Sequence, residues 1–334
     1  VSKSPLVKRF MKVFANNLWK KYKLEEGDIV VDVGSSDGYQ LSLFQDLGAK
    51  VIGFEPSEEL SNISNGRGIE TYCTLFDAES LNHIPQKSKK YANVILTQYT
   101  FDHIPEPSEF LINVCKILDP HRGLVVIEVH DFVKMVERRE ACLFTHEHAT
   151  YTSEKSISSI FDRFGLKLLS TNLVPDNLRR GNSLIAVASL KSSFFSSDKD
   201  LFSESLEKLS LKSTYVEFAN DIMTSHRAFR EKLISLKNEG RTFAGYGAAA
   251  RGVNTLAISG LNNEIFDYFC DMNKNLHGKC LPGAGIPVFS PEHVFENFVD
   301  EIIVFNYGYI REIKSFYESY IEKGGKIISI LDYI

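Results

Sequence analysis

The chain has 334 residues, a net charge of −5 and five cysteines. This length allows two domains with sizeable hydrophobic cores, and the acidic balance without a long basic run argues against nucleic acid as the main partner. No apolar stretch has the length of a membrane span, no signal peptide is visible, and the scattered cysteines are typical of reduced thiols, so we expect a cytoplasmic protein with no membrane partner and no zinc site.

The first part of the chain predicts a helix, a strand, a glycine turn and a second helix. Apolar side chains repeat at intervals of three and four over residues 5–22, which predicts an amphipathic helix. Four of the five residues at 29–33 are apolar, a pattern typical of a strand buried on both faces of a parallel sheet. Gly34 and Gly38 follow it, a geometry that can hold a nucleotide-like ligand at the carboxyl edge of a sheet. Asp37 in this turn would attract the cationic amino-acid end of S-adenosylmethionine, and an ordinary βα turn is the alternative.

The second predicted strand, at 50–54, ends in an acidic residue. Glu55 lies 23 residues after Asp32, where an acid can accept hydrogen bonds from both ribose hydroxyls. These two linked features favour an adenosyl ligand over an ordinary turn. Asp77 is predicted to bind the adenine amino group, with Phe76 against the ring. The predicted cofactor-binding residues are Asp32, Gly34, Ser35, Asp37, Gly38, Glu55, Pro56, Phe76, Asp77 and Gln98.

Strands and helices continue to alternate as far as residue 129. Further strands are predicted near 69–72 and at 92–97 and 123–129, with helices near 57–65 and at 107–118. This alternation predicts a parallel, doubly wound sheet. After an irregular stretch at 130–152, a helix at 153–164 with Ser153 as its N-cap precedes two β-like runs at 166–171 and 183–190.

A serine-rich stretch at 191–198 is the candidate linker to a second domain. Residues 200–238 are predicted to be helical, and a second α/β unit then begins with a strand at 241–245. The predicted fold is therefore α/β: a doubly wound, Rossmann-like methyltransferase domain, a helical segment and a second, smaller Rossmann-like domain. The predicted boundaries are 1–190 for the S-adenosylmethionine-binding domain, 191–238 for the helical linker and 239–334 for the substrate-binding domain.

A second glycine loop, at 245–252, opens the C-terminal domain. Three interpretations apply: a dinucleotide-binding turn with Asp271 on a ribose, a close contact between helix and strand, or an anion site in which backbone N–H groups and Arg251 hold a phosphate. We favour the anion site, because the first domain already provides a cofactor site.

The stretch Thr145-His146-Glu147-His148 follows the fifth strand and has neither a strand nor a helix period. A metal site there lacks a third ligand close by, although His130 and Asp131 lie upstream. An exposed polar loop is the simplest alternative. We favour acid–base chemistry, since an imidazole can accept a proton near neutral pH and Glu147 can orient it. His103, just past the fourth strand, is a second candidate for proton transfer or oxyanion stabilisation.

Several motifs together resemble one family, the S-adenosylmethionine-dependent C-methyltransferases that act on nucleotide-linked deoxysugars. The first glycine turn resembles I-G-S-N-D-G, and the end of the second strand resembles G-I-E-P-S. The other matches are Phe101-Asp102-His103-Ile104 with F-A-H-I, the His-Glu-His stretch followed by Tyr151 with Y-H-E-H, Gly181-Asn182-Ser183 with G-G-S, 246–252 with Y-G-A-A-A-K-G, and 271–288 with D-x-N-P-x-K-x-G-R-x-x-P-G-x-x-I-P-I. The matches run in order from about residue 28 to 315, so the set is specific.

The resemblance implies C-methylation of a nucleotide-activated keto-deoxysugar for a polysaccharide or natural product, with S-adenosylmethionine converted to S-adenosylhomocysteine. It implies His148 as the base, with His103 and Glu147 assisting. It also implies that the C-terminal domain helps to hold the sugar nucleotide. The predicted substrate-binding residues are His146, Arg180, Asn182, Tyr246, Arg251, Asn254 and Lys279.

The sequence also departs from the family pattern. The family usually carries an N-terminal module with four zinc-binding cysteines and an active-site tyrosine, which we expect this chain to lack, so we expect no zinc. Thr145 replaces the tyrosine before His-Glu-His, and Tyr99 replaces an asparagine near the fourth strand. These departures leave three alternatives: O-methylation of a sugar or phosphorylated sugar, a catalytically silent subunit that binds cofactor and sugar nucleotide, and a nicotinamide-dependent oxidoreductase.

Overall fold

The computed structural model describes residues 4–84, 91–171, 173–179, 182–198 and 208–334. The chain divides into two compact units. The first comprises Val1–Phe132 and Glu147–Leu206, and the second comprises Val133–His146 and Glu207–Ile334. The short segment that precedes His-Glu-His thus groups with the second unit, while the domain boundaries at 190 and 238 stay predictions.

The first unit is built on a seven-stranded sheet. Its strands are β1 (Ile29–Val33), β2 (Lys50–Phe54), β3 (Thr71–Tyr72), β4 (Val94–Gln98), β5 (Leu124–Val129), β6 (Leu166–Ser170) and β7 (Leu184–Leu190). They lie in the order β3-β2-β1-β4-β5-β7-β6. Strands β1 to β5 pair in parallel, which confirms the predicted doubly wound α/β fold.

The last two strands, predicted only as β-like runs, extend this sheet in an antiparallel arrangement. Strand β7 pairs antiparallel with both β5 and β6. A parallel pair needs a crossover connection, usually an α-helix. The described residues between β6 and β7 contain no α-helix, so the chain returns in the opposite direction.

Helices pack on the first sheet, and serine hydroxyls cap three of them. The helices of the chain as far as residue 163 are α1 (Pro5–Lys21), α2 (Tyr39–Asp46), α3 (Glu58–Gly66), α4 (Pro107–Ile117), α5 (Phe132–Glu137) and α6 (Glu154–Arg163). The Ser4 side chain caps α1, and Phe10, Phe14 and Leu18 on one face of that helix are buried. The predicted N-cap Ser153 is confirmed, because its hydroxyl accepts from the Ser156 N–H in a capping box.

The second unit contains a five-stranded parallel sheet. Its strands are β8 (Phe243–Tyr246), β9 (Tyr268–Cys270), β10 (Val288–Phe289), β11 (Glu301–Val304) and β12 (Lys326–Ser329), and its helices after α5 are α7 (Lys212–Asn238), α8 (Ala250–Ser259), α9 (His293–Glu296), α10 (Ile310–Phe316) and α11 (Glu318–Glu322). The strand order is β10-β9-β8-β11-β12. This confirms the second Rossmann-like domain. The helix predicted from residue 200 begins at Lys212, and 199–207 lie outside the described residues.

The stretch at 130–152, predicted to be irregular, contains helix α5 and a 3-10 turn at Ala141–Leu143. Helix α5 has six residues, too few for a helical period to show in the sequence. None of the helices in the described part of the chain combines the length and the apolar character that crossing a membrane requires.

Candidate active site

The glycine bend between β1 and α2 depends on two residues in the left-handed region of backbone space. Gly34 has φ 76° and Gly38 has φ 71°. A Cβ atom at Gly34 would overlap the Thr100 side chain, and one at Gly38 would overlap the Ser64 hydroxyl. Glycine is therefore required at both positions for conformation and for space.

Glu55, which follows β2, holds the bend in place. Its carboxylate accepts hydrogen bonds from the backbone N–H groups of Ser36 and Ser57, both at 2.9 Å. A carboxylate offers about four acceptor positions, so each oxygen can still accept a ribose hydroxyl. The buried side chains of Asp32 and Ser35 belong to the same bend. This set of acidic and hydroxyl groups fits a cationic adenosyl ligand.

Two other predicted cofactor residues already have protein partners. The Asp37 carboxylate lies 3.4 Å from the Arg67 guanidinium, which offsets part of its negative charge. The Gln98 amide donates to Glu128 Oε2 at 2.8 Å, and Glu128 is fully buried at the end of β5. The pairing fixes Gln98 at the carboxyl edge of β4. Their contacts with a cofactor stay predictions.

The residues predicted to surround the adenine ring lie after β3. Phe76 is half-buried, with ring centroids 5.4 Å from Phe54 and 5.5 Å from Phe110. The Asp77 carboxylate accepts from the backbone N–H groups of Glu79 and Ser80, so it caps the 3-10 turn that follows. Pro56 is exposed beside the bend. The adenine roles of Phe76 and Asp77 stay predictions.

Three histidines gather with two tyrosines in the first unit, and we call this group the imidazole cluster: Tyr99, His103, His130, His148 and Tyr151. The ring centroid of His148 lies 4.8 Å from that of His103, 5.3 Å from that of His130 and 5.7 Å from that of Tyr151. The Tyr99 and His130 centroids are 4.8 Å apart. The structure therefore brings the two predicted catalytic histidines together and adds His130.

Asp102 connects the members of this cluster. Its Oδ2 atom lies 3.0 Å from His130 Nδ1, and the residue is 4% exposed. Burial raises the pKa of this carboxyl. The hydrogen bond from His130 and the charges of His130, His148 and His103 together lower it by more, so its pKa lies below the ordinary value. The Asp102 carbonyl accepts the Ala149 N–H at 2.7 Å, which fixes the loop that carries His148.

The predicted His-Glu-His stretch is divided by the boundary between the two units, which falls between His146 and Glu147. Both of these side chains are exposed. The Glu147 carbonyl lies 3.1 Å from His103 Nδ1. Because a carbonyl can only accept, this contact places a proton on Nδ1 of His103, and in the neutral ring Nε2 is then the acceptor. A role for the Glu147 carboxylate stays a prediction.

Asp102, His130 and Glu128 were not predicted as catalytic or cofactor residues. Asp102 and His130 lie 28 positions apart in the sequence, so no local motif joins them. The available signal was topological: β4 and β5 are parallel neighbours, and both residues follow the carboxyl ends of these strands. Tyr99, noted only as a replacement, has φ 51°, an unusual backbone conformation for a residue other than glycine.

The second glycine loop contains glycine for two reasons: backbone conformation at one position and close packing at two others. Gly247 has φ 103°. A Cβ at Gly245 would overlap the Phe269 ring, and one at Gly252 would overlap the Gly247 carbonyl. Close contact between helix and strand therefore explains Gly245 and Gly252. Asp271 accepts from the Ala248 N–H at 2.8 Å, so its carboxylate holds the loop.

Two of the predicted substrate residues on α8 contact the protein itself. Arg251 Nη1 lies 3.4 Å from Asn306 Oδ1, and its guanidinium lies 5.0 Å from the centre of the Tyr307 ring. The Asn254 amide donates to the carbonyl groups of Cys142 at 3.0 Å and Phe144 at 3.4 Å. Asn254 thus ties α8 to the segment that precedes His146 within the second unit.

The other predicted substrate residues have different surroundings. Tyr246 is buried, and burial followed by the charge of Asp271 raises the pKa of its hydroxyl. Asn182 is fully buried and accepts the Asp131 N–H at 3.1 Å. Lys279 is exposed, and Arg180 lies outside the described residues. Their substrate roles stay predictions.

Comparisons with known proteins match both units. Residues 7–171 match the model of a methyltransferase domain, and residues 187–331 match that of a C-methyltransferase C-terminal domain. The chain is 30% identical over 309 residues to C-methyltransferase NovU of Streptomyces niveus, covering 91% of this chain and 72% of that protein.

Two solved methyltransferase structures resemble part of the chain. A SAM-dependent methyltransferase from Aquifex aeolicus matches 55% of this chain and 93% of its own, at 21% identity and a TM-score of 0.41. Magnesium protoporphyrin IX methyltransferase from Synechocystis PCC 6803, solved with bound SAM, matches 55% and 79%, at 16% identity and a TM-score of 0.39. The matches to both domain models and to NovU along most of the chain decide the family: this chain belongs to the S-adenosylmethionine-dependent C-methyltransferases.

Proposed function

We propose that the chain methylates a carbon atom of a nucleotide-activated keto-deoxysugar, with a histidine as the base. The observation that carries this proposal is the imidazole cluster, in which His103 and His148 lie with ring centroids 4.8 Å apart. The cluster belongs to the same unit as the glycine bend that is predicted to bind the cofactor. Imidazoles at this edge suit a reaction that must first remove a proton from carbon.

S-adenosylmethionine supplies an electrophilic methyl group, so the remaining work of the protein is to bind, align and deprotonate the acceptor. Glu55 would hold the ribose and Asp32 and Asp37 the cationic end of the cofactor. His148 would take the proton from the carbon next to the ketone, since an imidazole changes its protonation near neutral pH. His103 would assist through Nε2, because its Nδ1 lies against the Glu147 carbonyl.

The second unit is proposed to hold the nucleotide part of the substrate. Helix α8 begins beside the second glycine loop, and its first turn carries Arg251. Backbone N–H groups at a helix start together with a guanidinium suit a phosphate. Tyr246, Lys279 and Asn254 are the further residues proposed for this role.

Incubation with methyl-labelled S-adenosylmethionine and a panel of nucleoside diphosphate sugars, with and without a keto group, tests the proposal. We expect label on a carbon of a keto-deoxysugar and a loss of about 10²–10⁴ in rate for H148Q. His121→Gln is the matched control, because the His121 ring stacks on Phe194 at 5.2 Å, outside the imidazole cluster. No transfer to any sugar, with cofactor bound, would contradict the proposal.

Thr145 motivates two alternatives that the same experiment separates. Transfer to a sugar oxygen needs a base but no stabilised enolate, and label on an oxygen would show it. A silent binding subunit would transfer no label, and H148Q would change neither cofactor nor sugar affinity. All five cysteines are free thiols, which is consistent with the proposed cytoplasmic location. The proposed product is an unusual sugar for a polysaccharide or natural product.

A further inference from the structure

Removing a proton next to a ketone produces negative charge on the ketone oxygen, and the protein must stabilise it. The family pattern carries a tyrosine before His-Glu-His, where this chain has Thr145. The proposed function, on which this inference rests, requires a hydrogen-bond donor that the motif in this chain does not provide. Besides His103, the described part of the first unit offers a second candidate, the pair formed by Asp102 and His130.

We propose that Asp102 and His130 form a carboxylate–imidazolium pair in which Asp102 positions the ring and His130 donates a hydrogen bond from Nε2 to the developing oxyanion. His130 is then a catalytic residue and Asp102 a positioning residue. The pair complements the proposed base: His148 removes the proton from carbon, and His130 stabilises the electron pair left on the enolate oxygen.

The first argument is the hydrogen bond within the pair. Asp102 Oδ2 lies 3.0 Å from His130 Nδ1, and the two side chains are 5% and 13% exposed. A carboxylate can only accept, so Nδ1 carries a proton and Asp102 stabilises a positive charge on the ring. A ring protonated on both nitrogens donates from Nε2, across the ring from Asp102. Solvent access is small on both side chains, which keeps such a donor strong.

The second argument is the place of the pair in the sheet. His130 directly follows β5, and Asp102 lies in the turn after the neighbouring strand β4. Thr100, two residues before Asp102, fills the space that a Cβ at Gly34 would need. The pair therefore belongs to the same edge of the sheet as the glycine bend, where the reacting methyl group is expected.

The third argument is the set of groups that face the pair. The Tyr99 ring centroid lies 4.8 Å from that of His130, and that of His148 lies 5.3 Å away. The charges of His148 and His103 also lower the pKa of the Asp102 carboxyl. The Asp102 carbonyl holds the Ala149 N–H, so one residue fixes both the donor His130 and the loop of the base.

A metal ion is the competing explanation for these side chains. One donor atom from each of Asp102, His130 and His148 lies within 4.8 Å of those of the others. However, the hydrogen bond already joins Asp102 Oδ2 to His130 Nδ1. A cation bound through those two atoms would have to displace the shared proton, so the geometry favours the protonated pair, and metal binding becomes an outcome of the test.

Nuclear magnetic resonance of the full chain with ¹⁵N-labelled histidine tests the pair without substrate. His130→Gln identifies the His130 signals. The proposal requires both ring nitrogens of His130 to carry protons, and we expect D102N to lose this doubly protonated signal. A neutral His130 with a proton on only one ring nitrogen, whether Nδ1 or Nε2, would overturn the proposal. So would a stoichiometric Zn²⁺ titration that shifts the His130 and His148 signals together and is abolished in D102N.

Exchange of solvent deuterium into a nucleoside diphosphate keto-deoxysugar, with S-adenosylhomocysteine present, tests the donor role separately from methyl transfer. We expect D102N and H130Q to slow exchange by about 10²–10³-fold with little change in KM. Asp162→Asn is the matched control, since the Asp162 side chain is 72% exposed and pairs with Lys191.

If the wild type exchanges deuterium and D102N exchanges it equally fast, the proposed pair is overturned while the proposed function stands. Failure of the wild type to exchange any keto sugar would count against the proposed function, and the resonance measurement would still decide the state of the pair.

Discussion

The two units use the same backbone arrangement to hold a glycine loop. In the first, Glu55 at the end of β2 accepts the Ser36 N–H from the loop after β1 at 2.9 Å. In the second, Asp271 at the end of β9 accepts the Ala248 N–H from the loop after β8 at 2.8 Å. Each carboxylate also accepts the N–H two residues further along its own chain, at Ser57 and at Asn273.

The two loops differ in why they contain glycine. Gly34 and Gly38 both have positive φ, whereas Gly245 and Gly252 are needed because the Phe269 ring and the Gly247 carbonyl occupy the space of a side chain. A glycine loop followed by an acid therefore predicts how the backbone is held. The reaction follows from the side chains at the ends of the neighbouring strands, where the first unit places the imidazole cluster.

The largest expected effect comes from G34A in the first loop. The substitution places a Cβ against Thr100 in a backbone conformation with φ 76°. Conformational strain of about 1–2 kcal/mol and overlap of about 1–3 kcal/mol together predict a loss of about 2–5 kcal/mol in the stability of the first unit. Hydrogen exchange resolved by peptide reports that loss, and calorimetry reports weaker S-adenosylhomocysteine binding.

Gly27→Ala is the matched control for this substitution. Gly27 has φ 86°, and a Cβ added there would meet no atom within 4 Å, so this position shares the strain without the overlap. Equal losses in the two variants would show that space at the bend is unimportant, and unchanged cofactor affinity in G34A would separate the bend from cofactor binding.

The next effect compares the two acids directly. E55Q removes the charge proposed to hold the ribose, and charged hydrogen bonds contribute about 1.5–3 kcal/mol. We therefore expect about ten- to hundredfold weaker binding of S-adenosylhomocysteine by calorimetry. D271N changes the equivalent acid of the second unit and should leave this affinity unchanged. If D271N weakened the binding as much as E55Q, the assignment of the cofactor to the first loop would be wrong.

A smaller effect is expected from G245A. The new methyl group would meet the Phe269 ring, which is fully buried between Phe266 and Phe305, so the ring has little room to move. We expect the second unit to lose about 1–3 kcal/mol in stability, while cofactor affinity stays the same. Gly66→Ala is the control, because a Cβ there meets nothing within 4 Å. Loss of cofactor affinity in G245A would contradict the packing explanation.

The fold was predictable where one physical signal dominates. Strand β1 is recognisable because four of its five residues are apolar and all five are buried. Ser153 is recognisable because a hydroxyl there caps α6. The antiparallel direction of β7 was not predictable, since a buried strand has the same apolar pattern in either direction. Helix α5 was missed because six residues cannot show a helical period.

The candidate site was predictable only in part, for a related reason. Gly34 and Glu55 belong to local motifs, so their spacing shows in the sequence. Asp102 and His130 become partners only because β4 and β5 lie side by side. The sequence predicts a doubly wound sheet but not the direction of each side chain, and a hydrogen bond of 3.0 Å depends on that direction.

The smallest expected effect is a loss of stability in acid that we attribute to one histidine of the second unit. His226 in α7 is 2% exposed, and its Nδ1 lies 3.0 Å from the Ile222 carbonyl. Burial lowers the pKa of this imidazole below its ordinary value of 6.5, although the hydrogen bond to Ile222 opposes the shift. The unfolded chain therefore binds a proton at this residue at a higher pH than the folded chain. The contribution of His226 to the stability of the second unit is fully present above pH 6.5. It should decline as the pH falls from there towards the folded pKa, by at most about 1.4 kcal/mol per pH unit.

Hydrogen exchange of α7 peptides between about pH 5.5 and 7.5 measures the decline, and H226Q should abolish it while H121Q in the first unit should not. A slope of the opposite sign, or one that survives in H226Q, would show that another group sets the acid response of this unit.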